Sequence, residues 1–527
     1  EVTGSCHFLQ AAGLNILVDC GMEQGNDVYE NQELPIAASD VDCILLTHAH
    51  IDHSGLIPLM YVNGFRGQVY STSATAQLCE IMLRDSAHIQ MFEAEWRNRK
   101  AARSGGKLKE FVPLYDMDAA VNVCKQFVGC EYDRVYDIAE GIKIRFTDVG
   151  HLLGSASIEV WATEKTENGD VTEKIVFSGD IGNINKPIIK DPKHVRDADY
   201  VVMESTYGNR SHGGTPNYVE DLTDIFKRTF ERGGNVVIPS FAVGRTQELL
   251  YIIRKIKEDN LVGRDFDVYM DSPLAIEATN IFIKNVESCF DDEAVELVRK
   301  GINPLSFPGL KYATTGDESK QINFDPNPKV IISSSGMCEA GRIRHHLKHN
   351  LWRPECTIVF VGYQAVGTTG RIIVDGAEEI KLFGEPIQIK AEIVQLKGSS
   401  GHADKDGLLC WINAFDTKPK KVFVVHGEDS VCDEFTECLK EEYGYDAMAP
   451  YTGGSYDLIA DRVISEGVKE RKTRRTTSTQ RGKTVFDRLV AAGKRLMTVI
   501  THNEGGTNKD LAKFTDQINA LCDKWDR

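Results

Sequence analysis

Closely spaced cysteine pairs are missing from this chain of 527 residues, although it contains 13 cysteines. No two cysteines are separated by only two residues, so the usual signature of a thiolate metal site or a redox pair is absent. An odd and scattered set of cysteines is typical of reduced thiols and not of a disulfide framework. We therefore expect a cytoplasmic protein.

Long apolar runs and a recognisable signal sequence are also lacking. No segment approaches the roughly 20 consecutive apolar residues that a transmembrane helix needs. The first residues, EVTGSCHFLQ, do not combine a basic region with an apolar core, as a secretory signal does. We expect no association with a membrane.

Positive charge is in deficit, because the formal net charge is −17 at pH 7. Such a charge argues against a broad surface that binds nucleic acid without specificity. A local basic groove remains compatible with it.

Short apolar runs alternate with helical patterns along most of the chain, and many of the runs end in a polar residue. At this length two or three domains are expected. Helical patterns cover residues 74–92 and 245–258, and the alternation predicts an α/β fold with helices covering the sheets. The predicted strands are 14–19, 41–47, 141–147, 174–178, 199–203, 235–239, 329–333, 357–361 and 421–425.

The last sixty residues differ in composition from the rest. Residues 469–483 are basic and polar without apolar periodicity, which indicates a linker or an exposed arm. Two amphipathic helices are predicted at 484–499 and 508–525, the second with a buried face formed by Leu511, Phe514, Ile518 and Leu521. We expect packing or dimerisation from this extension.

The stretch LLTHAHIDHSGL, residues 45–56, holds three of the chain's 14 histidines within six residues. A polar turn after a buried strand is the plain interpretation. However, imidazole is the commonest metal ligand, and carboxylate binds many of the same cations. The spacing of His48, His50, Asp52 and His53 therefore indicates ligands for two metals on a loop held by a strand.

Three more polar residues at strand ends complete a two-metal set. Taken singly, each is more often a hydrogen-bonded loop residue. Together with the first cluster, they suggest that His48, His50 and His151 hold one metal, and that Asp52, His53 and His426 hold the other. Asp180 would bridge the two. Imidazole and carboxylate ligands without thiolates favour zinc with an open position, although manganese and iron remain alternatives.

The ordered motifs resemble those of the metallo-β-lactamase superfamily and, within it, the β-CASP group of nucleic-acid hydrolases. Asp19, the His48–His53 stretch, His151 and Asp180 match the superfamily motifs in order, and Glu204, His402 and His426 match the three β-CASP motifs. Further similar phrases are PSFAVGRTQELL, MDSPLA, SSSGMCEAGRIRHHL and GYQAVGTTGR. The likeness is greatest to prokaryotic relatives of the cleavage-and-polyadenylation endonuclease subunit.

The resemblance implies a metallo-β-lactamase αββα sandwich that is interrupted by an α/β β-CASP domain and followed by a small helical extension. The first part of the sandwich would span 1–204 and the inserted domain 205–385. The second part, which includes RNA-metabolism motifs, would span 386–464, and the extension 465–527.

The resemblance also implies a ribonuclease with two zinc ions, in which Asp52, Asp180, Glu204 and His402 are catalytic. His402 would be the general acid, Glu204 would orient it, and Asp19 would orient a ligand histidine. A histidine at the third β-CASP motif, here His426, favours RNA over DNA. Endonuclease action on single strands is favoured, with 5′-exonuclease action as the alternative. The alternative functions are a hydrolase of small esters, thioesters or lactams and a non-catalytic RNA-binding subunit.

RNA contacts are expected from local cations and loops. The resemblance points to Arg245, Arg371 and Ser400. A basic segment with a stacking Trp96 and the arm at 472–475 are further candidates. The basic segment contains Arg97, Arg99, Lys100, Arg103, Lys107 and Lys109. His345, His346 and His349 are interpreted as a solvated basic helix face, with phosphate contact as the functional alternative. A homodimer is a further expectation.

Overall fold

The computed structural model describes residues 2–24, 33–103, 111–167, 169–211, 213, 217–396, 400–470, 485–504 and 507–525. Its first sheet has a nearly continuous apolar centre, as expected of strands buried on both faces. Leu14–Val18 pairs antiparallel with His7–Ala11 and parallel with Cys43–Leu45. The strand order is His7–Ala11, Leu14–Val18, Cys43–Leu45, Gln68–Thr72 and Phe127–Cys130.

A second sheet of seven strands packs against the first. Residues such as Ile16 and Leu45 of the first sheet share one apolar core with Phe146 and Ile158 of the second. The order is Ala447–Met448, Lys421–Val425, Tyr200–Glu204, Gly169–Phe177, Ala156–Thr166, Ile142–Asp148 and Val135–Ala139. Helices cover both outer faces, so the expected α/β sandwich is confirmed.

The third sheet is built from parallel pairs and is inserted in the chain between the strands Tyr200–Glu204 and Lys421–Val425 of the second sheet. Its order is Leu310–Tyr312, Asp267–Asp271, Lys329–Ser333, Val236–Pro239, Thr357–Phe360 and Glu392–Gln395. The last of these strands lies beyond the expected domain boundary at 385 but is hydrogen-bonded into this sheet. The predicted domain boundaries stay predictions. Two small hairpins pair Glu379–Leu382 with Glu385–Gln388 and Ser455–Asp457 with Arg462–Ser465.

The helices agree well with the apolar periodicity. The predicted helix 245–258 is found as Arg245–Glu258, and the pattern at 74–92 belongs to a longer helix, Ser73–Arg103. The other helices of the sandwich are Ile51–Ser54, Ile57–Val62, Met117–Cys124, Lys405–Ile412 and Asp429–Glu441, with a short 3₁₀ turn at Ala38–Asp40. Those around the third sheet are Tyr218–Glu231, Pro273–Lys284, Val286–Cys289, Asp292–Arg299, Gly316–Phe324, Ile343–Asn350 and Thr369–Val374.

The C-terminal extension contains two helices, Val485–His502 and Asn508–Trp525. The first contacts the body of the protein through Thr498, which hydrogen-bonds to Ser39 and Asp40. Leu511, Phe514 and Ile518 of the second are half-buried, whereas Leu521 is exposed, so the expected buried face is only partly formed. The dimer expected from these helices stays a prediction.

Within the described residues, the helices include none with the length and apolar character needed to cross a lipid bilayer.

Candidate metal centre

Three neighbouring strands of the second sheet bring their carboxyl ends to one place. Tyr200–Glu204 is parallel to both Lys421–Val425 and Gly169–Phe177, with Glu204 opposite Val425 and Val202 opposite Phe177. Because parallel strands end at the same edge, Glu204, Asp180 and His426 gather there although they are far apart in sequence. Asp180 and His426 are almost fully buried.

The histidine cluster approaches this edge from the first sheet. The buried strand Cys43–Leu45 leads into His48, and the backbone carbonyl of His50 accepts the N–H of His53 and of Ser54 in the short helix Ile51–Ser54. That tight turn places Asp52 and His53 on the helix and leaves His48 and His50 in the preceding loop. His48 and His53 are buried, and His50 is half-buried.

A glycine allows the Asp180 loop to approach the histidine loop closely. Gly179 has a φ of +58°, and a Cβ at this position would lie 2.9 Å from Cβ of Thr47 and 3.0 Å from the carbonyl oxygen of Ala156. Only glycine fits this backbone conformation at this distance without strain.

Asp180 lies between two groups of imidazoles. Its Oδ2 atom is 3.4 Å from Nε2 of His48 and 3.5 Å from Nε2 of His151. Its Oδ1 atom is 3.2 Å from Nε2 of His53 and 3.3 Å from Nε2 of His426. Each carboxylate oxygen therefore faces a different pair of histidines.

The two remaining candidate ligands, His50 and Asp52, lie next to these two groups of imidazoles. Nδ1 of His50 lies 3.0 Å from Nε2 of His48 and 3.2 Å from Nε2 of His151. Ligand atoms of Asp52, His53 and His426 lie within 4.8 Å of one another. The structure thus brings together all seven residues that the sequence singles out as ligands, and their role as ligands stays a prediction.

The donor atoms fit divalent cations. In the described part of the chain, Nε2 of His53 and Oδ1 of Asp180 are buried and have no hydrogen-bond partner, which a coordinated cation would supply. Burial lowers the pKa values of His50, His151 and His426 well below normal, so these imidazoles are neutral and have a lone pair to donate. Burial alone would raise the pKa of Asp180, but His426 and His53 lower it well below its usual value.

Asp19 orients one ligand from behind. Its carboxylate accepts the backbone N–H and the hydroxyl of Thr47 at 2.8 and 2.9 Å, and it lies 2.7 Å from Nδ1 of His53. The Nδ1–H bond leaves Nε2 of His53 directed toward Asp180. His151 is oriented in the same way, because its Nδ1 lies 3.3 Å from the carbonyl oxygen of Gly401.

His402 lies beside the cluster and contacts a buried carboxylate. Its Nδ1 is 3.2 Å from Oε1 of Glu204 and 3.9 Å from Oδ2 of Asp180. Burial alone would lower the pKa of His402, but the Glu204 and Asp180 carboxylates raise the pKa to about 9. Glu204 also accepts the N–H groups of Ile181 and Thr206, so it stabilises the loops as well.

The expected RNA contacts have local partners in the structure. The hydroxyl of Ser400 accepts the backbone N–H of His402 at 3.1 Å. Arg245 is paired with Glu248, and Arg371 with Asp375 at 2.8 Å. In the basic segment, Arg97 pairs with Glu93 and Arg99 with Glu95, and Trp96 is exposed. Lys107, Lys109 and residues 472–475 lie outside the described residues.

The expectation of a solvated face for the second histidine cluster is wrong for His346. His346 is completely buried, with Nε2 2.6 Å from Oδ2 of Asp271 and Nδ1 3.0 Å from Oδ1 of Asn323. His345 and His349 are exposed as expected. The helical period distinguishes the faces of this helix but does not reveal a buried carboxylate contributed by another strand.

Lys186 lies beside the site, although its sequence context does not predict a functional role. The Nζ atom of Lys186 donates a hydrogen bond to the carbonyl oxygen of His151 at 2.9 Å and lies 3.4 Å from Oε1 of Glu248. Its only sequence signal is its position six residues after Asp180, and that spacing has no defined chemical meaning.

The chain is similar to known protein families over most of its length. A metallo-beta-lactamase superfamily domain matches residues 8–183, a Beta-Casp domain matches 246–373, and a Zn-dependent metallo-hydrolase RNA specificity domain matches 386–450. Ribonuclease TTHA0252 of Thermus thermophilus is 35% identical over 430 residues, which cover 81% of this chain and 91% of the relative.

Archaeal relatives are similar over the same region. The transcription termination factor FttA of Methanosarcina mazei is 32% identical over 465 residues, which cover 85% of this chain and 69% of that protein. FttA of Thermococcus kodakarensis is 29% identical over 469 residues, covering 85% and 68% of the two chains.

Proposed function

Because this chain belongs to the β-CASP group of the metallo-β-lactamase superfamily, we propose that it is a zinc-dependent ribonuclease that hydrolyses single-stranded RNA. The observation that carries the proposal is the position of Asp180, whose two carboxylate oxygens face different histidine pairs. A carboxylate placed in this way can bridge two cations. Metal pairs about 3.5–4 Å apart are common in enzymes that cleave phosphodiesters.

Two zinc ions are the proposed cofactors. His48, His50 and His151 would hold one, Asp52, His53 and His426 would hold the other, and Asp180 would be available to both. When bound, the ions supply an activated water and neutralise charge on the phosphate. The imidazole and carboxylate ligands favour zinc with a position open to substrate.

Acidic and basic side chains of the chain itself carry out the proton transfer and orient the reacting groups. The Glu204 and Asp180 carboxylates favour the protonated form of His402, because they raise its pKa to about 9. Glu204 holds Nδ1, so Nε2 is the atom that delivers a proton to the leaving 3′-oxygen. Asp52 and Asp180 line the same space and orient the attacking water. Ser400 fixes the loop that carries His402.

The substrate is proposed to be RNA, cut internally. One relative is named a ribonuclease, and residues 386–450 match a domain described by its RNA specificity. Single strands suit the proposed site because their unpaired bases and their phosphates are both accessible to protein groups. Arg245 and Arg371 are the proposed phosphate contacts, each reached by exchange of its present carboxylate partner.

The deciding experiment uses one single-stranded RNA labelled at either end, with the matching DNA alongside. Wild type is expected to release internal RNA fragments. His402→Ala is expected to cut about 10²–10⁴-fold more slowly while retaining two zinc ions per chain. The exposed His194 provides the matched control, because His194→Ala removes an imidazole outside the site.

Other outcomes of this experiment would support the alternative functions. Mononucleotides released only from 5′-phosphorylated RNA would change the mode to exonuclease. A two-zinc protein that cleaves neither polymer but hydrolyses small esters would contradict the ribonuclease proposal. RNA binding without any hydrolysis would indicate a non-catalytic subunit.

A further inference from the structure

Two exposed aromatic side chains and a glycine lie in loops at the carboxyl edge of the third sheet. Phe241 follows the strand Val236–Pro239, Gly336 follows Lys329–Ser333, and Tyr363 follows Thr357–Phe360. These three strands are neighbours, so their following loops lie side by side. The side chains of Phe241 and Tyr363 are 47% and 54% exposed. Burial in the core therefore does not account for either ring.

The backbone under both rings is held firmly. The carbonyl oxygen of Phe241 accepts the hydroxyl of Thr246 at 2.7 Å. A Cβ on Gly336 would lie 3.1 Å from Cδ2 and Cε2 of Phe241, so the ring packs directly on the glycine backbone. Beside Tyr363, the buried amide of Gln364 donates to the carbonyl oxygen of Gly336 at 3.1 Å. Ordering these loops on binding costs little entropy because they are already fixed.

The same loop reaches the metal centre. Phe241 leads to Gly244, where a Cβ would lie 3.1 Å from Cδ1 of Leu152, the residue after His151. Four residues beyond Gly244, Glu248 pairs with Lys186, which bonds to the carbonyl of His151. Ligands of open α/β sheets bind outside the carboxyl ends of the strands, which is the edge that carries these rings.

The chemistry of the edge favours bases over phosphates. The net charge of the chain is −17, and Arg371, which lies near Tyr363, reaches a phosphate only after it leaves Asp375, whereas the two exposed rings need no such exchange. Aromatic rings bind unpaired bases without needing positive charge, and stacking tolerates any base because each has a π face. A strand held here would extend from the scissile phosphate across the inserted domain.

We propose that Phe241 and Tyr363 form a base-stacking platform for unpaired bases of the RNA next to the cleavage site. This inference rests on the proposed function for the identity of the ligand. It adds the residues that bind the bases and explains how an acidic protein holds RNA.

The test measures RNA binding and not cleavage, so that it separates the platform from the ribonuclease activity. All proteins carry His402→Ala and two zinc ions, and binding of a short fluorescent single-stranded RNA is followed by anisotropy. Phe241→Ala and Tyr363→Ala are each expected to weaken binding about 10-fold, a typical effect of losing one stacked base. Phe241→Leu, which keeps an apolar side chain without a π face, should behave like Phe241→Ala.

Phe324→Ala is the matched control. Phe324 is 76% exposed and lies in the same domain, but it precedes the strand Lys329–Ser333 and so belongs to the opposite edge of the sheet. Its replacement should leave RNA binding unchanged. Thermal unfolding and zinc content identify any variant that is misfolded, and Phe241→Leu then carries the test.

A second RNA, with bases removed but the sugar–phosphate backbone intact, completes a double-mutant cycle. Because this RNA loses both stacked bases, the platform predicts that it binds the His402→Ala protein about 100-fold more weakly, and that Phe241→Ala and Tyr363→Ala weaken it no further. Equal binding of intact RNA by the background and by the folded Phe241 and Tyr363 variants would overturn the inference. If cleavage assays fail while this cycle succeeds, the ribonuclease proposal falls and the platform stands.

Discussion

At the scale of single residues, two aspartates beside the histidine cluster differ in what surrounds their oxygens. Asp19 is satisfied by Thr47 and His53, so its charge is balanced by hydrogen bonds. Asp180 faces four imidazole nitrogens, and one of its oxygens has no hydrogen-bond partner among the described residues. The first environment suits an orienting group, and the second suits a ligand.

Replacement of Asp19 should therefore weaken metal binding without removing a ligand. Asp19→Ala frees Nδ1 of His53 and is expected to lower zinc affinity at one site about 10–100-fold. Competition with a chromogenic chelator measures this directly. The exposed Asp224 is the matched control, and two sites of wild-type affinity in Asp19→Ala would contradict the orienting role.

At the scale of elements, a buried contact between an imidazole and a carboxylate attaches the helix Ile343–Asn350 to the third sheet. His346 meets Asp271 at the end of the strand Asp267–Asp271, and Arg342 and Ser319 bind the same carboxylate. These contacts lower the pKa of Asp271 even though burial alone would raise it. The pair is structural, and a metal is not needed to explain it.

His346→Ala should accordingly destabilise the fold and leave the zinc content intact. Removing one partner of a buried pair commonly costs about 3–5 kcal/mol, and the remaining partners of Asp271 place the expected loss near 2–3 kcal/mol. Denaturant unfolding measures the loss. His349→Ala, an exposed histidine on the same helix, should change the free energy of unfolding by less than about 0.5 kcal/mol.

At the scale of the whole molecule, Lys186 connects the loop that carries His151 to the inserted domain. Its side chain is only 12% exposed, and it bridges the carbonyl of His151 and the carboxylate of Glu248 in the helix Arg245–Glu258. Lys186 is therefore one of the contacts between the two domains, and it lies next to a candidate metal ligand.

Lys186→Met should displace the His151 loop and slow RNA cleavage. Because small misplacements in an active site are costly, we expect kcat to fall at least about 10-fold with little change in KM for RNA. Lys186→Arg keeps the charge and should restore part of the rate. A normal kcat in Lys186→Met would show that the His151 loop keeps its position without this lysine.

Removal of the metal tests how far the stability of the whole fold depends on the proposed metal sites. Under the proposed function, zinc would bind the folded arrangement of side chains that come from two sheets, so chelation should lower the midpoint of thermal unfolding. Free zinc at about 1,000 times the dissociation constant stabilises by about 4 kcal/mol per site. Calorimetry with and without chelator, followed by zinc addition, measures this change. An unaltered midpoint would argue against metal sites built into the folded state.

Much of the candidate site could be read from the chain because its residues follow strands. His48, His151, Asp180 and His426 each come after an apolar run, and the carboxyl ends of such strands converge in a sheet. The helix Arg245–Glu258 was equally predictable, since its apolar period spans its full length. Local pattern and chemical type were sufficient for these features.

Long-range packing determines the features that local sequence patterns do not predict. The sequence by itself determined the ligand types, the α/β class and the likeness to β-CASP nucleases, because each depends on residue identity and spacing along the chain. Only the tertiary structure buried His346 against Asp271, set Lys186 between two domains and brought Phe241 and Tyr363 to one edge. Those relations depend on contacts between residues tens to hundreds of positions apart, and no local period encodes such contacts.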